Sequence, residues 1–380
     1  MVRRTGRGSA GGAPAYAVPL VISAALALLG ILFLYSNGTL ANLPMSVLPS
    51  SSIPGYTTTQ GSTSASTTAY TTVPSGNQSG SSNFSDSNST QLSLYEYTLS
   101  LINNDRKTYG LGPVTLSGTL SGQQHATNML EYGYLSHWDI YGMKPYMRYT
   151  LLDGRGSVAE NVAYITNESC SIFGCTGNIN VESAIKNMEY SMMYNDSQCC
   201  NNGHRDNILD PNHNQVSLGI AYNSSTVYLV EDFIDNYIGW GSGYPSYSNS
   251  NETVSLDGAV QSGYNIYEVL VSYDPPVQRM SVAQLRNTSS YSYGQEVAGV
   301  ASSPYFYYTG VDTIVADQYY TQGNGFDISF SLANLTRQYG AGEYTIMIWL
   351  NGTSGGSSFI GSTYTIFLNA NGSQYVPNGI

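Results

Sequence analysis

The chain has 380 residues and a formal net charge of −12, and only 10% of its residues are charged. Of the 13 basic residues, three (Arg3, Arg4, Arg7) crowd the start, so no basic patch remains to hold nucleic acid. Tyrosine is frequent (34 residues) and Ser, Thr, Asn and Gly dominate the polar positions, which suits an extracellular surface.

Ala15–Tyr35 runs for 21 residues without a charge. At about 1.5 Å per residue this helix would span roughly 30 Å, the hydrocarbon thickness of a bilayer. Pro19 lies near its start, where a helix tolerates proline. A cleaved signal peptide has a shorter apolar core and a small-residue cleavage site, and no A-x-A follows Tyr35. The expectation is therefore a membrane anchor at 15–35. The arginines before it place residues 1–14 in the cytoplasm and the C-terminal domains outside the cell. Sequons at Asn37, Asn77, Asn83, Asn88, Asn167, Asn195, Asn223, Asn251, Asn287, Asn334, Asn351 and Asn371 all follow the apolar stretch, though Asn, Ser and Thr are abundant here anyway. The four cysteines (Cys170, Cys175, Cys199, Cys200) are expected to form two disulfides outside the cell, in any of three pairings.

Residues 36–89 are a Ser, Thr, Gly, Asn and Pro tract without apolar periodicity, expected to be a disordered stalk. Folded sequence starts near Thr90. Leu92, Leu94, Tyr95, Tyr97, Leu99, Leu101 and Ile102 include helical spacings, and Gly110, Gly112 and Pro113 end that helix. Further helices are expected at Ser117–Tyr132 and Val181–Tyr194. Strands follow at Val216–Tyr222 and Thr226–Ile234. Helices first and then a meander predict a layered α/β sandwich over 90–240. Residues 241–253 read as a linker. Alternating segments such as YNIYEVLVSYD and EYTIMIWLNG then predict an all-β, immunoglobulin-like sandwich over 254–376, without His or Cys.

All four histidines, His125, His137, His204 and His213, fall in the middle domain. Imidazole is both a metal ligand and a proton shuttle, so this confinement marks a candidate site. His137 ends YGYLSH, Glu160 sits in SVAENVAY, and His204 sits in NNGHRDNIL. In order and spacing these pieces resemble the CAP superfamily of cysteine-rich secretory, antigen 5 and pathogenesis-related 1 proteins, in its prokaryotic, membrane-anchored form. The resemblance runs from about Leu92 to Phe233. It includes an Asn-x-x-Arg helix (Asn103 to Arg106), the aromatic-Ser-His motif, Ala-Glu-Asn at Ala159–Asn161, and Gly-His-Arg-x-Asn-Ile-Leu from Gly203.

The resemblance implies an α-β-α sandwich with a cleft lined by two histidines and two acids. His137, Glu160 and His204 match three of them. For the fourth, Glu189 is shifted relative to the family pattern, Met188 stands where the tryptophan falls, and Glu182 is a weaker candidate. Two imidazoles and a carboxylate suit zinc or another divalent metal with an open position. They equally suit a metal-free hydrogen-bonded network.

Other residues invite plainer readings. His125 reads as a structural helix residue, His213 as an exposed turn residue, and Arg205 and Asp206 as helix-start residues. Ser136 beside His137 lacks the strand-to-helix elbow of a nucleophile. Cys199 and Cys200 read as staples fixing the loop before His204. The favoured function is a cell-surface binding protein whose cleft engages an envelope glycan, lipid or protein. The alternatives are a metal-dependent peptide or ester hydrolase using His137, His204 and Glu160, and an adhesin acting through the C-terminal sandwich.

Overall fold

A computed structural model describes residues 84–377, apart from 172, 173 and 289. The anchor expected at 15–35 and nearly all of the stalk lie outside the described residues. Among the described residues no helix is long and apolar enough to cross a membrane.

The first helix, α1 (Phe84–Thr108), begins before Thr90. Strand β1 (Thr115–Leu116) follows, then helices α2 (Ser121–Tyr132) and α3 (Pro145–Leu151). Strand β2 (Ser157–Thr166) leads into a short hairpin, β3 (Glu168–Ser171) and β4 (Gly174–Gly177). Helix α4 (Val181–Tyr194) matches its expected bounds, and two short helices follow, α5 (Ser197–Cys200) and α6 (Gly203–Ile208). Strands β5 (Gln215–Tyr222) and β6 (Thr226–Asp235) complete a four-stranded sheet in the order β1-β5-β6-β2.

Alternation along β6 sorts the sheet into two faces. Val227, Leu229 and Phe233 pack with Leu94 and Ile102 of α1, with Ala184, Ile185, Met188, Met192 and Met193 of α4, and with Ile208 of α6. Tyr228 and Val230 face the other way, against Ala126 and Met129 of α2. Helix α2 reaches β5 through a glycine pair: a Cβ added at Gly219 would stand 1.9 Å from the Gly122 carbonyl oxygen, so both positions need bare backbone.

Arg106 explains why an arginine ends α1. Its buried guanidinium donates to the carbonyls of Gly112, Ile208, Asp210 and His213, tying α1 to the end of α6. His213, expected to be exposed, is buried. Its Nδ1 lies 2.6 Å from Asp235 Oδ1, and its ring stacks on Phe233. The staple reading of the cysteines is also corrected. Cys199 bonds its own neighbour, Cys200, so that disulfide closes no loop. Cys170 and Cys175 are directly opposite partners in the β3–β4 hairpin.

The C-terminal half holds β7 (Ile238–Trp240), β8 (Ser246–Ser248), β9 (Thr253–Val260), β10 (Tyr264–Asp274), helix α7 (Val282–Arg286), β11 (Gln295–Ala301), β12 (Asp312–Val315), β13 (Gln318–Gln322), β14 (Gly325–Ser331), helix α8 (Ala333–Tyr339), β15 (Gly342–Gly352) and β16 (Phe359–Leu368). One sheet runs β12-β11-β10-β15-β16, and β12 joins β11 in parallel. The other runs β13-β14-β9-β7, with β8 also on β9. Val254, Leu256, Ile328 and Phe330 of the second sheet share one core with Val269, Val271, Ile346 and Ile366 of the first. Ile238–Trp240 thus belongs to the C-terminal half, and the expected linker contains a strand.

The two halves share a core of their own. Met143, Tyr146, Met147 and Tyr149 around α3 pack with Val158, Ile234 and Phe367, and with Val277, Tyr291, Tyr293 and Tyr375. Lys144 Nζ meets Asp274 Oδ1 at 2.6 Å, and the Tyr146 hydroxyl donates to Asp274 Oδ2 at 2.6 Å. Backbone carbonyls are tied across as well, with Ser157 on Ile360 and Ser362 on Arg155. Leu285 of α7 joins the core beneath α2.

Candidate functional site

Glu160 sits mid-strand on β2, opposite Asp232 of β6, and both point to the α2 face. Glu160 Oε1 lies 2.9 Å from His137 Nδ1, and Arg148 of α3 donates to Oε2 at 2.6 Å. Arg148 also donates to the carbonyls of His137 and Met143. The Ser121 hydroxyl donates to Asp232 Oδ2 at 2.5 Å. His125 is buried, with Nε2 at 2.8 Å from the Ser136 carbonyl, as its structural reading expects.

Burial dominates the protonation of this cluster. It pushes the Glu160 carboxyl up to about 7, against the pull of Arg148. Asp232 is pushed well above the carboxylate range by burial and then by Glu160. One buried cation faces three buried carboxyls, Glu160, Asp139 and Asp232, so protonation of a carboxyl near neutral pH relieves the excess negative charge. Burial, reinforced by the Arg148 cation, lowers His137 to about 4, which keeps it neutral. An ionised Glu160 therefore selects the His137 tautomer that carries its proton on Nδ1.

The next residue on each strand faces the opposite way. Asn161 lies opposite Glu231, bonds its carboxylate at 3.2 Å, and donates to the His204 carbonyl at 3.1 Å. Asn207 donates to Asn161 in turn. Glu189, the candidate fourth acid, is buried against Glu231 on this face, and burial and then Glu231 raise its carboxyl well above the usual range. Glu189 is thus separated by the sheet from the Glu160 carboxylate.

Asp196 is the acid that meets His204. Its Oδ1 lies 2.6 Å from His204 Nδ1, and its Oδ2 accepts the amides of His204 at 2.9 Å and Arg205 at 3.3 Å. Asp196 therefore caps α6 and orients its imidazole, the helix-start role expected of Arg205 and Asp206. Arg205 instead reaches the Tyr109 hydroxyl. Each candidate histidine has its Nδ1 on a carboxylate, His137 on Glu160 and His204 on Asp196, a pairing that fixes ring orientation.

Both Glu160 oxygens are held, by His137 and Arg148. A different group has ligand spacing. One donor atom each from Asp196, Cys199, Cys200 and His204 all lie within 4.8 Å of one another, so the group could hold a metal ion.

A family model for CAP, the cysteine-rich secretory protein family, matches residues 99–233. The chain carries a CAP domain. Its matched stretch holds His137, Glu160, Asp196 and His204. Among solved structures, the CAP domain of Enterococcal PrgA is similar, with 16% identity and a TM-score of 0.26. The similarity covers 36% of this chain and 58% of that one. No curated protein sequence matches.

Arg148, Asp196, Asp232, Glu231 and Tyr291 belong to none of the motifs named above. A signal did exist for two of them: Glu231 and Asp232 interrupt the apolar run of TVYLVEDFI. Tyr291 carries no local signal, because it reaches the site from the C-terminal half. Its hydroxyl accepts the Glu160 amide at 3.1 Å, and its ring centroid lies 5.0 Å from that of His137.

Proposed function

We propose that this CAP-domain protein is an extracellular interaction protein, held at the cell membrane by residues 15–35 as a single-pass anchor. In this reading the CAP domain and an immunoglobulin-like C-terminal sandwich act as one rigid head on the stalk. Exposed sequon asparagines at Asn167, Asn195, Asn223, Asn251, Asn287, Asn334 and Asn371 are compatible with glycosylation outside the cell.

The observation that carries the interaction role is the loop between β11 and β12. Tyr305, Phe306 and Tyr307 are 90%, 56% and 66% exposed, side by side. Three adjacent exposed aromatics are costly to leave in water and mark a binding surface. Between residues 302 and 322 there is no Lys or Arg, while Asp312 and Asp317 are present, so the loop disfavours an anionic ligand. Aromatic faces stack on the apolar faces of sugar rings, so the ligand class is a neutral envelope glycan. The site around Glu160 is instead closed by Arg148 and Tyr291, which fits a supporting role. If zinc or another divalent metal enters the cleft, His137 and His204 would offer Nε2, with Glu160 and Asp196 orienting the rings.

The test is titration of the purified full chain with neutral glycans. Saturable binding that is lost in a Tyr305→Ala, Phe306→Ala, Tyr307→Ala triple variant supports the reading. Undiminished binding by that variant counts against the loop. Turnover of a peptide or ester that disappears in His137→Ala would favour the hydrolase.

A further inference from the structure

Asp196, Cys199, Cys200 and His204 bring two sulfurs, an imidazole and a carboxylate together around the start of α6. Sulfur in a disulfide is a poor ligand, whereas thiolate is a strong one. The cluster therefore has two chemically distinct states. We infer that it is a thiol-gated zinc site, closed to metal while Cys199 and Cys200 are bonded and opened by their reduction.

The geometry fits a tetrahedral ion with modest movement. Zinc bonds of about 2.0–2.3 Å place ligand atoms roughly 3.3–3.8 Å apart. The four donor atoms already lie within 4.8 Å of one another. The 2.6 Å contact between Asp196 Oδ1 and His204 Nδ1 must open to about 3.3 Å, and the sulfurs must part to about 3.8 Å. Asp196 is buried and anchored through Oδ2 by the amides of His204 and Arg205, so the carboxylate stays in place while Oδ1 turns to the ion. Cys199 is exposed, which admits both a reductant and the metal. Two thiolates with an imidazole and a carboxylate favour zinc over the harder calcium and magnesium.

The chemistry balances with a dithiol as reductant. The dithiol gives two electrons and two protons to the Cys199–Cys200 bond and is itself oxidised to a disulfide. Zinc then displaces the two thiol protons, and His204 binds as neutral imidazole. Because Asp196 also caps α6, filling the site acts on the segment that carries His204.

The test uses the full chain carrying His137→Ala, so that a site built on the His137 imidazole cannot contribute. Zinc is measured by native mass spectrometry and by competition with a chromophoric chelator, before and after treatment with a dithiol. The expected result is no retained zinc when oxidised and one zinc per chain when reduced. Adding Cys199→Ser and Cys200→Ser should lower zinc affinity at least tenfold, whereas adding Cys170→Ser and Cys175→Ser should not. Cobalt in the reduced protein should give sulfur-to-metal charge-transfer absorption, which reads thiolate ligation directly. No zinc uptake on reduction overturns the proposal, as does uptake that survives Cys199→Ser and Cys200→Ser.

Discussion

The Tyr291 hydroxyl accepts the backbone amide of Glu160, and the same ring lies against His137. A residue of the C-terminal half thereby closes the polar cluster of the CAP domain. Tyr291→Phe removes one hydrogen bond and should cost about 1 kcal/mol in denaturant unfolding. Tyr291→Ala removes the packing as well and should cost about 3–5 kcal/mol. Burial is the first cause of the low His137 pKa of about 4. In Tyr291→Ala that value should therefore rise towards 6.5, which an NMR titration of the imidazole can follow. An unmoved titration would mean that Tyr291 does not seal the site.

The core shared between the halves predicts that the CAP domain will not tolerate separation at residue 240. Cutting there uncovers Met143, Tyr146, Met147 and Tyr149, and removes the Asp274 partner of Lys144. Each large apolar side chain re-exposed costs about 1.5–3 kcal/mol. Residues 84–240 expressed alone should aggregate or unfold at lower denaturant than the full chain. In the full chain, Asp274→Ala alone should cost about 3–5 kcal/mol. A stable, soluble fragment with an unchanged midpoint would refute this.

Much of the CAP domain was legible because its signals are local. The apolar spacing of Val181–Tyr194 gives the bounds of α4, and the apolar run from Thr226 gives β6. His137 and Glu160 are found from their motifs, and they do meet. Helix α3 was missed because PYMRYTL is buried almost all round and so has no polar face to set a period. Asp196 was missed because it looks like one more polar residue in an Asn- and Ser-rich turn. Only the fold shows that it reaches both the ring and the amide of His204. His213 looked exposed because it follows a proline turn, but Asp235 and Phe233 enclose it.

Glu343 of β15 gives a clean pH test in the C-terminal half. It accepts from the Tyr375 hydroxyl at 2.8 Å and the Val277 amide at 3.2 Å, yet burial pushes its carboxyl up to about 7. Its folded value is thus raised above the ordinary 4.5. The folded state binds the proton more tightly, so the stabilisation is full below about 4.5 and is lost as pH rises through 7. The loss should be on the order of 2–3 kcal/mol. Glu343→Gln cannot ionise, so its unfolding free energy should decline less between pH 4.5 and 7. Parallel wild-type and variant curves would exclude Glu343 as a source of the slope.

Arg148 is the cation on which the Glu160 cluster depends, and its removal should have two signatures. Arg148→Met leaves the buried carboxyls of Glu160, Asp139 and Asp232 without their counter-charge and three acceptors, Glu160 Oε2 and the carbonyls of His137 and Met143, without their donor. The expected cost at neutral pH is about 3–5 kcal/mol. Arg148 pulls the Glu160 carboxyl down against burial, so its loss should raise that carboxyl beyond about 7. With the folded value further above the unfolded one, stability should fall more steeply as pH rises from about 4.5. The variant should therefore recover part of its loss in acid, where Glu160 is protonated in both states. Combining it with Glu160→Gln removes the stranded charge and should restore part of the stability at neutral pH. Urea unfolding of the single and double variants at about pH 4 and pH 8 measures both effects. A cost independent of pH, and unrelieved by Glu160→Gln, would show that Arg148 acts by packing rather than by charge.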